Sequence, residues 1–341
     1  MVRKSENLHL AMPETGMRYI DAYLAPLLPI LARKEVTDLF VNRPGEVWVE
    51  TIGGAMERHD LPEIDEPRLW HLARQIASLS HQGISREHPL LAATLPDGAR
   101  VQIVAPPATR GALALAIRKH VVPDLTLDDF LGQGAFDGTR FSRGQTDLRA
   151  VDAPTGSGPD ELAAFLADLV RARRNIMISG GTSTGKTTFL NALLKEIPGA
   201  ERLILIEDTP EVQLSHANSV SLLAVKGELG EARVTADDLL QAALRMRPDR
   251  IIVGELRGNE AYTFLRAINT GHPGSLTTIH ADSPEGALEQ LALIILQSGT
   301  QLRHEDIMHY ACGVIDAVVQ LERCNGKRQV ARIMMTQGVG R

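Results

Sequence analysis

Cysteine is almost missing from this sequence. Cys312 and Cys324 are the only two in 341 residues. A four-cysteine zinc element is therefore excluded. In a large chain without an export signal, both residues are expected to stay reduced thiols. Positive charge is not in excess either. The formal net charge is −6, which argues against a general nucleic-acid binder while leaving room for a local basic groove. Long apolar runs are lacking too, and the strongest stretch, Leu291–Leu296, is far too short to span a membrane. Residues 1–16 carry scattered charges and no apolar segment of the kind that directs export. The expectation is a cytoplasmic protein whose membrane contact, if any, is peripheral.

Hydrophobic residues make up 44% of the chain, enough for a substantial core. Its length is too great for one typical domain and suits two. Residues 17–33 have apolar positions at helical spacing, interrupted by Pro26 and Pro29, and predict helical pieces. Two apolar runs flank Asn42-Arg-Pro-Gly45 and predict a β-hairpin. A helix is expected over 67–82, a second hairpin around Pro96-Asp-Gly98, and a strand at Leu113–Ile117. Residues 1–120 thus read as an α+β domain with an antiparallel sheet. Residues 121–158 are rich in glycine, and we read a short helix near Leu127–Leu131 followed by an exposed linker. From residue 159 to 341 strands and helices alternate, which predicts a mainly parallel sheet covered by helices. The tail is expected to hold strands at Gly313–Leu321 and Gln329–Met335 around an Asn325-Gly326 turn.

The chemistry-bearing residues cluster in this second part. Gly180-Gly181-Thr182-Ser183-Thr184-Gly185-Lys186-Thr187 satisfies the Gly-x4-Gly-Lys-Thr pattern of a P-loop, between an apolar strand and a helix that opens with Thr188. Glycine lets successive backbone N–H groups converge on phosphate oxygens, and the helix N-terminus adds its dipole. Lys186 would reach the β- and γ-phosphates of ATP, and Thr187 would ligand Mg2+ through its hydroxyl. A second apolar strand runs through Ile251–Val253 to Gly254 and Glu255. Glycine stands where many P-loop enzymes carry aspartate, so Glu255 is the nearest acid. It would polarise the attacking water or hold the Mg2+ shell. A third strand ends in Glu207-Asp208, candidates for Mg2+-bound waters, with Glu211 just beyond. A fourth segment carries His272 and His280, and His280 is a candidate γ-phosphate sensor.

These four boxes, in this order, resemble the secretion traffic ATPases, the family of type II secretion, type IV pilus and type IV secretion motor proteins. The matching segments are 180–187, 203–211, 247–255 and 271–284. The hairpin 37–49, the segment Leu95–Pro107 and the run Ile117-Arg118-Lys119-His120 are similar to the type IV secretion and conjugation branch. The resemblance implies a RecA-like P-loop NTPase fold for the C-terminal domain. It also implies Mg-dependent ATP hydrolysis in a homohexameric ring, bound peripherally to inner-membrane components of a secretion machine. Secreted protein or nucleoprotein would be handled indirectly, without sequence-specific nucleic-acid binding. In that family N-domain arginines reach the nucleotide; by motif position these are Arg100 and Arg118, whose plainer reading is a salt bridge on a hairpin. Two other readings stand beside this one. A pilus assembly or retraction motor shares the same boxes. A nucleic-acid translocase or nucleotide-gated binding module would draw on the basic clusters Arg171-Ala-Arg-Arg174 and Arg245-Met-Arg247.

Overall fold

The computed structural model describes residues 20, 22–52, 54–80, 82–119, 124–142, 158–225, 234–324 and 326–336. It contains two compact units that meet in the chain between Val121 and Val122. In the first, a short helix α1 (Leu28–Leu31) precedes strands β1 (Val36–Val41), β2 (Glu46–Thr51) and β3 (Met56–Asp60). Helix α2 (Glu66–Leu79) follows, then β4 (Leu90–Thr94), β5 (Arg100–Val104) and β6 (Ala114–Arg118). The six strands form an antiparallel sheet in the order β3-β2-β1-β6-β5-β4. Alternation explains it: Leu39, Val47, Val49, Ile103 and Ile117 point to one core and are fully buried. Helix α2 starts where Asp65 accepts a hydrogen bond from the Arg68 N–H at 2.8 Å. Its Leu69, Leu72, Ala73 and Ile76 lie three or four apart and join the same core. Strand β3 escapes the sequence reading because Met-Glu-Arg-His-Asp has no apolar alternation. Ion pairs help hold it instead, including Arg33 to Glu57 at 2.7 Å.

The second unit opens inside the stretch expected to be linker. Helix α3 (Leu127–Gly132) is capped by Thr126 and Asp129. Strand β7 (Arg140–Ser142) pairs in parallel with β14 (Lys327–Met335) at the sheet edge. Phe130 meets Phe189 edge-on with ring centroids 5.1 Å apart, and Phe136 is 1% exposed. Residues 124–142 are therefore built into the core of this unit. Glycine content suggested exposure, but four apolar anchors, Leu127, Phe130, Ala135 and Phe136, outweigh it. The remainder of the expected linker, 143–157, lies outside the described residues.

Next come α4 (Pro159–Arg171), β8 (Ile176–Gly180), α5 (Lys186–Leu194), β9 (Leu203–Glu207) and β10 (Ser219–Leu223). They are followed by α6 (Ala236–Ala243), β11 (Arg250–Val253), α7 (Glu260–Asn269), β12 (Leu276–Ile279) and α8 (Pro284–Gln297). Helix α9 (His304–Val314) and the hairpin β13 (Ala317–Cys324) with β14 complete the unit. The eight-stranded sheet runs β10-β9-β11-β12-β8-β13-β14-β7, with only the β13–β14 pairing antiparallel. Strands β8, β9, β11 and β12 are buried at every position, as expected of parallel strands with helices on both faces. The tail departs from expectation. Residues 313 and 314 close α9, whose buried Ile307, Ala311 and Val314 recur at helical spacing, and β13 begins only at Ala317. Asn325 of the expected turn lies outside the described residues.

Candidate active site

Strands β9, β11, β12 and β8 are consecutive neighbours, and all four point the same way. Their C-terminal ends deliver Glu207, Gly254-Glu255, His280 and the P-loop to one sheet edge. Ligands of open α/β sheets bind at such an edge. Register makes this juxtaposition inevitable: Val253 lies opposite Ile206, and Ile279 opposite Ser179.

The P-loop is shaped by two left-handed residues. Gly185 caps α5 with φ 93°, and Ser183 takes φ 62°. For serine that conformation costs on the order of 1 kcal/mol, a strain tolerated where a loop is held by its surroundings. Thr184 donates to the Gly181 carbonyl at 2.9 Å, whereas Thr182 and Ser183 stay exposed at the loop tip. Thr188 is buried behind the loop. The Lys186 ammonium donates to the carbonyls of Gly180 at 2.8 Å and Gly181 at 3.0 Å. Burial pushes its pKa below the ordinary 10.5; Glu255 pulls it back up, and Arg257 lowers it again.

Lys186 also approaches His280 Nδ1 at 3.2 Å. An ammonium can only donate, so Nδ1 is the acceptor and Nε2 carries the ring proton. Nε2 lies 2.9 Å from Glu255 Oε1. That oxygen is buried with no hydrogen bond aligned on it. Lysine, histidine and glutamate therefore form a row across the strand ends. Burial lowers the His280 pKa below 6.5 despite the pull of Glu255, and the charges of Lys186 and Arg257 lower it further. The ring is neutral at pH 7. Beside Glu255 and His280 a cleft of about 150 Å³, bordered by Gln290 and Ile294, has room for several waters.

Gly254 explains the displaced acid. A Cβ at that position would sit 3.2 Å from Glu207 Cγ, so a larger residue would be pressed into Glu207. The chain carries its acid one residue later instead. Arg257, which the sequence reading passed over, bonds Glu255 Oε2 and lies 4.0 Å from Asp208 Oδ2. Its backbone N–H and that of Gly258 both donate to Glu260 Oε1, at 2.7 and 2.8 Å. A turn built this way aims the guanidinium at Glu255.

Two acids of the acidic box make hydrogen bonds around the P-loop. Glu207 Oε1 accepts the backbone N–H groups of Glu211 at 3.0 Å and Val212 at 2.7 Å. The Thr187 hydroxyl donates to Glu211 Oε2 at 3.0 Å. Thus Glu207 shapes the turn, and Glu211 is the carboxylate that meets the P-loop threonine. Hydroxyl and carboxylate oxygens are hard donors that suit Mg2+. His272 stands apart from the row, with Nδ1 3.1 Å from the Ala267 carbonyl at the end of α7.

In the first unit, Arg100 lies directly opposite Arg118 across β5 and β6. Arg118 Nε donates to Asp38 at 2.7 Å, so the salt-bridge reading is realised for Arg118. The basic clusters are absorbed in part by acids. Arg171 pairs with Glu196, Arg173 with Glu201 at 3.0 Å, and Arg174 with Asp316 at 3.3 Å.

A mainly parallel sheet carrying a P-loop, with an acid and a histidine at the same edge, defines a P-loop nucleotide hydrolase. The type II/IV secretion system protein family model matches residues 21–329. The chain belongs to that family, and its activity is ATP hydrolysis serving type IV secretion. It is 36% identical to the type IV secretion system protein VirB11 of Bartonella quintana, covering 96% of each chain. It is 40% identical to VirB11 of Brucella suis, over 89% of this chain and 85% of the relative. The crystal structure of the pilus retraction motor PilT with bound ADP superposes with a TM-score of 0.59 at 18% identity, over 92% of this chain and 83% of that one. At that identity the likeness speaks for the fold. Among the described residues, no helix is long and apolar enough to cross a membrane.

Proposed function

We propose that the chain is a RecA-like, Mg-dependent motor subunit of a homohexameric type IV secretion ATPase. It would work at the cytoplasmic face of the inner membrane against membrane components of the machine. The observation that carries the catalytic part is the row Lys186–His280–Glu255 at the strand ends. In this reading Lys186 leaves the Gly180 and Gly181 carbonyls for the β- and γ-phosphates of ATP. Glu255, held by Arg257 through one oxygen, uses the other to polarise water from the adjoining cleft. His280 senses the exchange, because its Nδ1 loses the Lys186 donor when the γ-phosphate takes it. Thr187 and Glu211, with Asp208 and Glu207 around them, would hold Mg2+, which neutralises phosphate charge when bound.

The pH profile tests the row. His280 is neutral above its lowered pKa, so turnover is expected to persist into the range where an ordinary histidine is already protonated and to decline only at lower pH. His280→Asn keeps an acceptor near the Nδ1 position and removes Nε2. It should slow turnover on the order of tenfold or more and erase that acid limb. An unchanged limb in the variant would remove His280 from the mechanism.

Arg100 and Arg118 are proposed as further nucleotide ligands. Their place in the motif and their position opposite each other across β5 and β6 support the assignment, since a pair of guanidinium groups suits phosphate oxygens. Electron microscopy with and without a non-hydrolysable ATP analogue is expected to find six-fold rings. Arg118→Gln should leave the rings intact while slowing turnover at least about tenfold. Monomers under both conditions would refute the ring, and full activity in the variant would refute the arginine's role.

A further inference from the structure

The hairpin β13–β14 has a position that the catalytic row does not use. Strand β13 runs parallel to β8, and Leu321 lies opposite Gly180. Residues after 321 therefore continue past the strand end at which the P-loop begins. The returning strand sets Arg328 directly opposite Arg323. Arg328 lies over the loop itself: a Cβ on Gly185 would be 3.0 Å from its Cδ, 3.5 Å from Nε and 3.7 Å from Nη1. Gly185 is thus glycine for two reasons, its positive φ and the arginine resting on it.

Neither arginine forms an ion pair or a side-chain hydrogen bond among the described residues. The nearby carboxylate of Glu322 is engaged by Gln329. Like charges directly opposite on a hairpin are destabilising. Burial against the loop, and then the charge of Arg323, push the Arg328 pKa down from its ordinary value. The residue remains a cation at neutral pH, held beside a loop whose chemistry is to bind phosphate.

We propose that Arg328 is a phosphate ligand of the bound nucleotide, supplied by the C-terminal hairpin to the loop that Lys186 serves, with Arg323 as a supporting charge. This rests on reading residues 180–188 as the nucleotide loop. Lys186 lies beneath the loop against its carbonyls, whereas Arg328 lies over Gly185. The planar guanidinium fork suits two phosphate oxygens at once. A contact made equally in the bound and activated states strengthens binding without speeding chemistry, so Arg328 belongs to KM rather than kcat.

The test measures binding of Mg-ATP and of inorganic tripolyphosphate to the full chain at fixed salt, alongside steady-state turnover. Arg328→Gln is expected to weaken both ligands about tenfold and raise KM by a similar factor, with kcat nearly unchanged. Arg328→Lys keeps the charge and an aliphatic stem over Gly185, and should recover part of the loss. Melting without nucleotide establishes that each variant is folded. Unchanged affinity would overturn the proposal. So would weaker ATP binding with tripolyphosphate unaffected, which would move the contact to the base or ribose, or a fall in kcat at constant KM. A wild-type protein that binds neither ligand would overturn the loop assignment itself, and that outcome is visible before any substitution is made.

Discussion

Lys186→Ala is expected to abolish ATP turnover and leave the protein folded. Lys186 is buried, with 9% of its surface exposed, and its ammonium is desolvated enough to lower its pKa. Among the described residues it is held by two loop carbonyls and the approach of His280. Removing a desolvated cation relieves a burial cost as it breaks those hydrogen bonds, so the change in stability should stay within about 1–2 kcal/mol. Catalysis has no such compensation. Among the described residues no other lysine lies in the row at the strand ends, and loss of one preorganised charge at developing phosphate charge costs about 100-fold to 1,000-fold. Poorer nucleotide binding multiplies that loss. Phosphate release and a melting curve on the same sample check the two halves, and turnover near wild type would refute the assignment of the loop.

Glu255→Gln should separate binding from chemistry. The amide matches the carboxylate in shape and keeps an acceptor for Arg257, so the turn at 255–258 should hold. What disappears is the anionic oxygen that lies buried beside His280 without an aligned donor. Hydrolysis is expected to drop by about 100-fold to 10,000-fold with ATP affinity little changed. A variant that loses affinity instead would move Glu255 from water activation to the Mg2+ shell or to a structural duty.

The P-loop was legible in the sequence because its requirements are local. A glycine must adopt φ 93° one residue before the lysine, and an apolar strand must precede both. The Gly254-Glu255 step was legible as a departure from the usual acid, but not its cause. That cause is the proximity of Glu207 on the neighbouring strand. The acidic box was found as a string of acids. Which acid meets Thr187 depends on how the turn after β9 folds back, and that turn is set by Glu207 accepting two backbone N–H groups. Arg257 follows Glu255 by two residues, and a charge of opposite sign that close to an acid at a strand end is a signal the sequence carries. Nothing in sequence spacing pairs Arg328 with Gly185, which is 143 positions earlier, because their contact comes from the parallel docking of β13 on β8. Residues 124–142 pack against their glycine content for a related reason: glycine is spread over the whole segment, while a few aromatic and aliphatic anchors decide where it sits.

Those anchors join the segment to the P-loop helix. Residues 124–142 come first among the described residues of the second unit, and they are tied to the helix that begins at Lys186. Phe130 and Phe136 both pack on Phe189, and Lys195, just past the end of α5, binds the Leu125 carbonyl at 3.0 Å and Asp124 at 2.5 Å. The contacts from residues 124–142 reach the P-loop helix at Phe189 and just past its end at Lys195, while Ala135, Thr139 and β7 tie the same segment to β14. The packing of this segment and the loop that opens the helix therefore bear on the same nine residues.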